Sequence, residues 1–143
     1  MPVKQISVFV ENVRGKLSKI TQVLADNGIN IRAVSIADTT DFGILRLIVQ
    51  DPEKAVNVLK ENDITVKCTD VIVIEVDDQP AGLNKALCLM RDSDIAVEYM
   101  YAFVSSHAGK AYVILKTDDI EKSIKAMTDG GIRVLPSKDV YEL

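Results

Sequence analysis

Ile6, Val8 and Val10 alternate with Gln5, Ser7 and Phe9, the period-two signature of a strand with one buried face. Leu17, Ile20, Val23, Leu24 and Asn27 then recur at helical spacing, and Gly28 supplies a stop. Residues from Ile29 to Asp38 read as extended, Thr39-Thr40-Asp41 as a turn, and Ile44 to Val49 as a densely apolar strand. Pro52 opens a second helix whose inward side carries Ala55, Val56 and Leu59, and a last strand begins near Ile64. The order is βαββαβ.

The same order returns in the second half. With a shift of 66 residues, Leu17-Ser18-Lys19 meets Leu83-Asn84-Lys85, Asp26 meets Asp92, Ile29 meets Ile95 and Gly43 meets Gly109. With a shift of 68, Glu53-Lys54-Ala55-Val56 meets Glu121-Lys122-Ser123-Ile124, Ile64 meets Ile132 and Val66 meets Val134. The second half reads as strand at Val71 to Val76, helix at Ala81 to Asp92, and strands at Ile95 to Ser106 and Lys110 to Lys116. A helix over Asp118 to Asp129 ends at Gly130-Gly131, and Ile132 to Val140 contains the final strand. Duplication of one unit divides the chain into residues 1–69 and 70–143, with no Ser-rich or Pro-rich linker at Thr69-Asp70.

Two βαββαβ units with right-handed crossovers predict an α+β chain of tandem ferredoxin-like units, helices on one face of an extended antiparallel sheet. Strands one and three of each unit are expected at the centre, two and four at the edges. Tyr99 to Val104, an edge strand, is apolar on both faces, so a covering strand from the first unit or from another subunit is expected. Cover from the first unit alone would leave a monomer; a homo-oligomer is the expected state.

The stretch Ile6-Ser7-Val8-Phe9-Val10-Glu11-Asn12-Val13-Arg14-Gly15-Lys16-Leu17 resembles the opening of ACT domains, a strand, a short turn reading Pro-Gly-x-Leu, and a helix. Asn27-Gly28-Ile29-Asn30-Ile31 and Gln79-Pro80-Ala81-Gly82-Leu83 continue the likeness over nearly the whole chain. The resemblance implies regulatory modules that pair and bind amino acids at the module interface. Residue by residue, it implies ligand contacts at Asn12, Val13, Arg14, Gly15, Lys16, Leu17, Asn30 and Ile31, and at Gln79, Pro80, Ala81, Gly82 and Leu83. This chain departs from the pattern: Arg14 stands in place of proline, Asn30 is matched by Ala96, and Ala81 aligns with Gly15, displacing the glycine to Gly82. The first unit also looks similar to the leading segment of acetolactate synthase regulatory subunits, implying a biosynthetic enzyme as partner.

Physical chemistry gives the turn a role of its own. A glycine before a helix lets backbone approach a ligand, and the helix N-terminus favours a carboxylate. Asn12 can donate and accept, and Arg14 or Lys16 could add positive charge. The competing reading is that Gly15 permits a tight turn, Asn12 caps it, and Arg14 and Lys16 are solvated surface charges.

Composition narrows the function. A net charge of −4 and the absence of a basic cluster oppose nucleic-acid binding. The start of the chain has neither a signal-peptide core nor an apolar run long enough to span a membrane, so the expected compartment is the cytoplasm. Cys68 and Cys88 read as two reduced thiols, without the spacing of a disulfide framework or zinc site. His107 is the only histidine, which excludes sites needing two imidazoles, and Ser105 and Ser106 beside it are merely neighbours in sequence. Asp41-Phe42-Gly43 imitates a kinase tripeptide without its companion motifs. Asp77-Asp78 and Asp118-Asp119 sit at element boundaries, where helix-start acidity accounts for the second pair. Tyr99, Tyr101 and Phe103 read as core or interface, not as base-stacking residues. The expected protein is no enzyme, holds no metal or cofactor, and binds an amino acid; the alternative is a regulatory subunit of an amino-acid biosynthetic enzyme such as acetolactate synthase.

Overall fold

A computed structural model describes residues 2–38, 42–103 and 108–143, the side chain of Asp38 excepted. The turn expected at Thr39-Thr40-Asp41 and the segment Val104-Ser105-Ser106-His107 lie outside them. The elements in order are β1 (Val3–Glu11), α1 (Lys16–Asp26), β2 (Ile31–Asp38), β3 (Phe42–Val49), α2 (Pro52–Glu61) and β4 (Val66–Asp77). They are followed by α3 (Gly82–Asp92), β5 (Val97–Ala102), β6 (Lys110–Thr117), α4 (Ile120–Asp129), β7 (Arg133–Val134) and α5 (Ser137–Tyr141). Two compact units result: an N-terminal one of Lys4–Thr69 with Tyr141–Leu143, and a C-terminal one of Met1–Val3 with Asp70–Val140. The last strand of the first repeat and the first of the second are one strand, β4, of 12 residues.

All four long helices end alike. After α1, the Ile29 N–H donates to the Leu24 carbonyl at 2.9 Å and the Gly28 N–H to Ala25 at 3.0 Å, with Gly28 left-handed at φ 69°. This is the Schellman arrangement, which satisfies carbonyls a helix end otherwise leaves unpaired. Ile64 to Leu59, Ile95 to Met90 and Ile132 to Met127 repeat it, with Asp63, Asp94 and Gly131 left-handed. In each case the isoleucine packs into the same core as the residue whose carbonyl it meets. Starts alternate instead: α2 and α4 are capped by Asp51 and Asp119, which accept from Lys54 N–H at 3.1 Å and Lys122 N–H at 3.0 Å.

In the N-terminal unit β3 lies between β2 and β1; in the C-terminal unit the order is β7-β4-β6-β5, every pairing antiparallel. Strands one and three of the C-terminal repeat are therefore central. Both edge strands β2 and β5 carry a register irregularity at the same point, around Arg32 and Glu98. A bulge bearing a charge blunts an edge against unwanted pairing.

The structure adds detail at two strands. The final strand is only two residues, because Leu135 makes one more bond to Val73 and Pro136 then leads into α5. Proline has no N–H for a ladder but suits a helix start. Along β5, Val97, Tyr99 and Tyr101 are half-buried while Glu98, Met100 and Ala102 face solvent, so the run from Tyr99 exposes apolar side chains on its outer side. Phe103 lies beyond β5, edge-on to Tyr112 with ring centroids 6.0 Å apart.

Each unit has its own core. Ile6, Val8, Leu45 and Leu47 meet Leu24 and Leu59 in the first; Ile72, Ile74, Val113 and Leu115 meet Met90 and Met127 in the second. One difference between the cores is chemical. Val49 and Ala55 of the first unit, both fully buried, are matched by Thr117 and Ser123, also fully buried. Their hydroxyls pair at 2.7 Å, and Ser123 also donates to the Asp119 carbonyl at 2.6 Å. Ser123→Ala alone should leave the Thr117 hydroxyl buried without a partner and cost about 1–3 kcal/mol. The double change Thr117→Val with Ser123→Ala installs the pair of the other unit and should recover most of that loss in urea denaturation.

Candidate functional site

The strand-to-helix connection is the same structure twice. In the N-terminal unit the Val13 N–H donates to the Glu11 carbonyl at 2.7 Å, Lys16 to Val13 at 3.3 Å and Lys19 to Gly15 at 3.1 Å. In the C-terminal unit Gln79 donates to Asp77 at 2.9 Å, Gly82 to Gln79 at 3.0 Å and Lys85 to Ala81 at 3.1 Å. Gly15 has φ 89° and ψ −7°, and Ala81 has φ 71° and ψ −3°. Those are the angles of the third position of a type II turn, where proline is favoured just before. Pro80 occupies that preceding position and Arg14 its equivalent.

The two turns assign different work to their glycines. Around Gly15 a Cβ would meet nothing within 4 Å, so the residue is needed for its backbone angles and not for space. Ala81 bears the same left-handed angles with a Cβ. Gly82 has ordinary angles, but a Cβ there would lie 2.0 Å from the Asp77 carbonyl oxygen. The displaced glycine of the second repeat thus preserves the turn by permitting a close backbone contact.

Three recesses flank these turns. A cavity of about 270 Å³ in the N-terminal unit is walled by Phe9, Glu11, Lys16, Lys19, Phe42 and the Asp63–Thr65 connection. A smaller one of about 130 Å³ on the other side of β1 is formed by Asn12, Val13, Leu17, Ile36 and Gly43. The C-terminal unit has a cavity of about 230 Å³ at Gln79, Pro80, Ala81 and Gly82, bounded by Glu75, Asp77, Lys110 and Arg133.

The sequence-derived site residues are divided among these places. Asn12, Val13 and Leu17 border the small recess, and Lys16 borders the large cavity. Arg14 and Gly15 line none of the three. Gln79, Pro80, Ala81 and Gly82 line the C-terminal cavity, while Leu83 packs on the core. Asn30 and Ile31 are not brought to the turn. They follow the far end of α1, a helix of 11 residues, which places them about 16 Å along its axis. There the Asn30 carbonyl accepts the Gln50 N–H at 2.9 Å. Leu17, expected on the buried side of its helix, is 43% exposed. The helix begins at Lys16 with Gly15 in the N-cap position and no side-chain cap, so Asn12 does not cap it.

Phe9, Phe42, Lys19, Asp63 and Ile36 were not among the expected site residues. Phe9 had a signal: it stands on the polar side of a period-two strand, between Ser7 and Glu11. Phe42 reaches the cavity through register, opposite Glu11.

Electrostatics separate the two units. Asp77 and Lys110 pair across strands, and Lys110 holds the Asp77 carboxyl below its ordinary value, first by a hydrogen bond and then by charge. Asp77 raises Lys110 in the same order of causes. The pair adds stability at neutral pH; acid removes it as Asp77 is protonated at its lowered pKa, and alkali removes it as Lys110 loses its proton at its raised one. Both groups face water, so salt screens the pair. Among the described residues no three His, Cys, Asp or Glu side chains are grouped to hold a metal ion, and no helix is long and apolar enough to cross a membrane.

Comparison with known proteins agrees with this geometry. A family model described as an ACT domain pair matches residues 1–143. The crystal structure of protein BT0572 from Bacteroides thetaiotaomicron is 38% identical, with a TM-score of 0.95 over 100% of this chain and 98% of that one. The acetolactate synthase small subunit of Buchnera aphidicola subsp. Baizongia pistaciae is 24% identical over 118 residues, 80% of this chain and 72% of that one. The ligand-free regulatory subunit of aspartate kinase from Thermus thermophilus shares the fold at 14% identity, with a TM-score of 0.64 over 89% of this chain and 91% of that one.

Gly15→Ala should therefore be tolerated, at about 1–2 kcal/mol for a left-handed alanine. Gly82→Ala, with ordinary angles but no room, should be the more damaging change. Paired urea melts that ranked the two the other way would show the turns differ.

Proposed function

Because this chain belongs to the ACT domain pair family, whose modules are regulatory and ligand-binding, we propose that it is an amino-acid-binding regulatory protein of the cytoplasm. Its working part is the strand-turn-helix of the N-terminal unit. The observation that carries this reading is the repeated type II turn, opening in the first unit onto recesses that combine apolar and charged side chains. Helix geometry leaves the Leu17 and Ser18 N–H groups without acceptors in their own helix, and these suit a carboxylate. Nothing in the site assembles a nucleophile with a base, so the role is binding and not catalysis.

A second reading, a regulatory subunit acting on an amino-acid biosynthetic enzyme, is favoured by the similarity to an acetolactate synthase small subunit. The two readings are compatible, since a regulatory subunit must itself sense something. Co-purification of an enzyme with the tagged protein is the observation that distinguishes the second.

Association of copies belongs to the same proposal. Only β3 pairs with β2 among the described residues, and Val13, Leu17, Val34 and Ile36 form an exposed apolar border along that edge. Such a border gains by being covered with a second copy.

A thermal-shift screen against the twenty amino acids tests the sensor reading. A ligand at about 100 times its Kd adds roughly 2.7 kcal/mol to stability, which raises Tm by several degrees, on the order of 5. No shift at millimolar concentrations of any amino acid would refute it. The wild-type chain should scatter light as a dimer or larger assembly. Ile36→Lys should reduce that mass and lower the ligand-free Tm by no more than the lost association accounts for, because Ile36 is already 45% exposed.

A further inference from the structure

The larger cavity of the N-terminal unit and the cavity of the C-terminal unit are one place in the repeat. Val10 and Val76, Ile64 and Ile132, and Lys19 and Lys85 occupy matching wall positions. The register Glu11 opposite Phe42 is that of Asp77 opposite Lys110, which makes Phe42 and Lys110 equivalent. The remaining walls have diverged: Phe9 stands where the second unit has Glu75, Thr65 where it has Arg133, and Asp63 where it has Gly131.

In the second unit these replacements satisfy one another. Lys110 is on Asp77, and Arg133 reaches Glu75 at 3.0 Å and Asp139 at 3.2 Å. Of the charged wall residues only Lys85 stays outside these pairs, so a ligand's ammonium would have to break one of them to reach Asp77 or Glu75. In the first unit the reverse holds. Glu11, Lys16, Lys19 and Asp63 make no ion pair or side-chain hydrogen bond among the described residues. Beside them Phe9 and Phe42 are 65% and 54% exposed. Covering such rings is favourable.

The chemistry of the open cavity specifies its occupant. Lys16 and Lys19 suit a carboxylate, Glu11 and Asp63 an ammonium, and Phe9, Phe42 and Ile20 an apolar body. A volume near 270 Å³ lies under the range of roughly 300–1,000 Å³ for drug-sized ligands, which suits one small zwitterion and not a nucleotide or peptide. We propose that this cavity binds one free amino acid with a large apolar side chain per chain, and that the ion-paired cavity of the C-terminal unit binds none. The assignment rests on the amino-acid-binding reading above and adds the side of the turn, the ligand class and the stoichiometry.

Isothermal titration of the full chain with L-leucine, L-methionine, L-phenylalanine, L-alanine, L-aspartate and L-lysine tests it. One of the three large apolar probes should bind at one per chain, at least about ten-fold tighter than L-alanine, the equivalent of about 1.4 kcal/mol. Phe9→Glu, which installs the residue of the second unit at an exposed position, should weaken that binding at least about ten-fold with the ligand-free Tm unchanged. Tightest binding of L-aspartate or L-lysine, two ligands per chain, or undiminished affinity in Phe9→Glu would each overturn the assignment. Undiminished binding in Phe9→Glu combined with loss in Asn12→Ala would move the site to the other side of β1 and leave the amino-acid reading standing. No heat with any of the six, together with no shift in the full thermal screen, would overturn both.

Discussion

A βαββαβ unit of this size can bury its apolar faces only if the chain passes between strand and helix, in either direction, within a few residues. Backbone in the left-handed region makes that possible here. Gly15 and Ala81 bend the chain into α1 and α3; Gly28, Asp63, Asp94 and Gly131 bend it out of the four long helices. Each exit also aims an isoleucine inward, so helix termination and core packing are a single event. Were those residues unable to adopt positive φ, the helices would overrun and their inner faces would miss the sheet.

The same constraint creates the places where a ligand can sit. A type II turn at the end of β1 lifts the start of α1 away from the strand, and the exit of α2 returns to the same end of the sheet. Between them is a cavity whose walls come from three stretches distant in sequence: Phe9 to Lys19, Phe42, and Asp63 to Thr65. Because the fold needs the turns and the buried wall residues but not the exposed ones, the exposed walls are free to diverge. The two repeats therefore carry cavities at one position with different walls. One has exposed rings and charges outside any ion pair; in the other both wall acids are paired with cations.

A parallel divergence inside the cores shows how the scaffold tolerates change. Val49 with Ala55 and Thr117 with Ser123 fill matching buried positions, one pair apolar and the other polar but mutually bonded. Either solution is consistent, and a mixture is not. The exchange of glycine between the turns follows the same logic: Gly15 is needed for angles, while Ala81 accepts the angles and Gly82 supplies room.

The alternation of Ile6, Val8 and Val10, the helical spacing from Ile20 to Leu24, and the repeat at shifts of 66 and 68 were sufficient to foresee the α+β class and the central strands. Period and turn chemistry are local properties, so one chain of letters carries them. The strand-turn-helix at Asn12 to Leu17 was legible for the same reason, down to the alignment of Ala81 with Gly15. The walls of the large cavity were not. Phe42 becomes a neighbour of Phe9 through strand register, and Asp63 through the return of α2, and neither relation has a signature in local spacing. Asn30 and Ile31 belong to the same family likeness as the motif but stand at the other end of α1. Leu17 misled in a smaller way, since helical spacing says which residues share a face but not how far the sheet extends beneath it. Distance across a fold is a sum of rigid elements, and it enters only once those elements are packed.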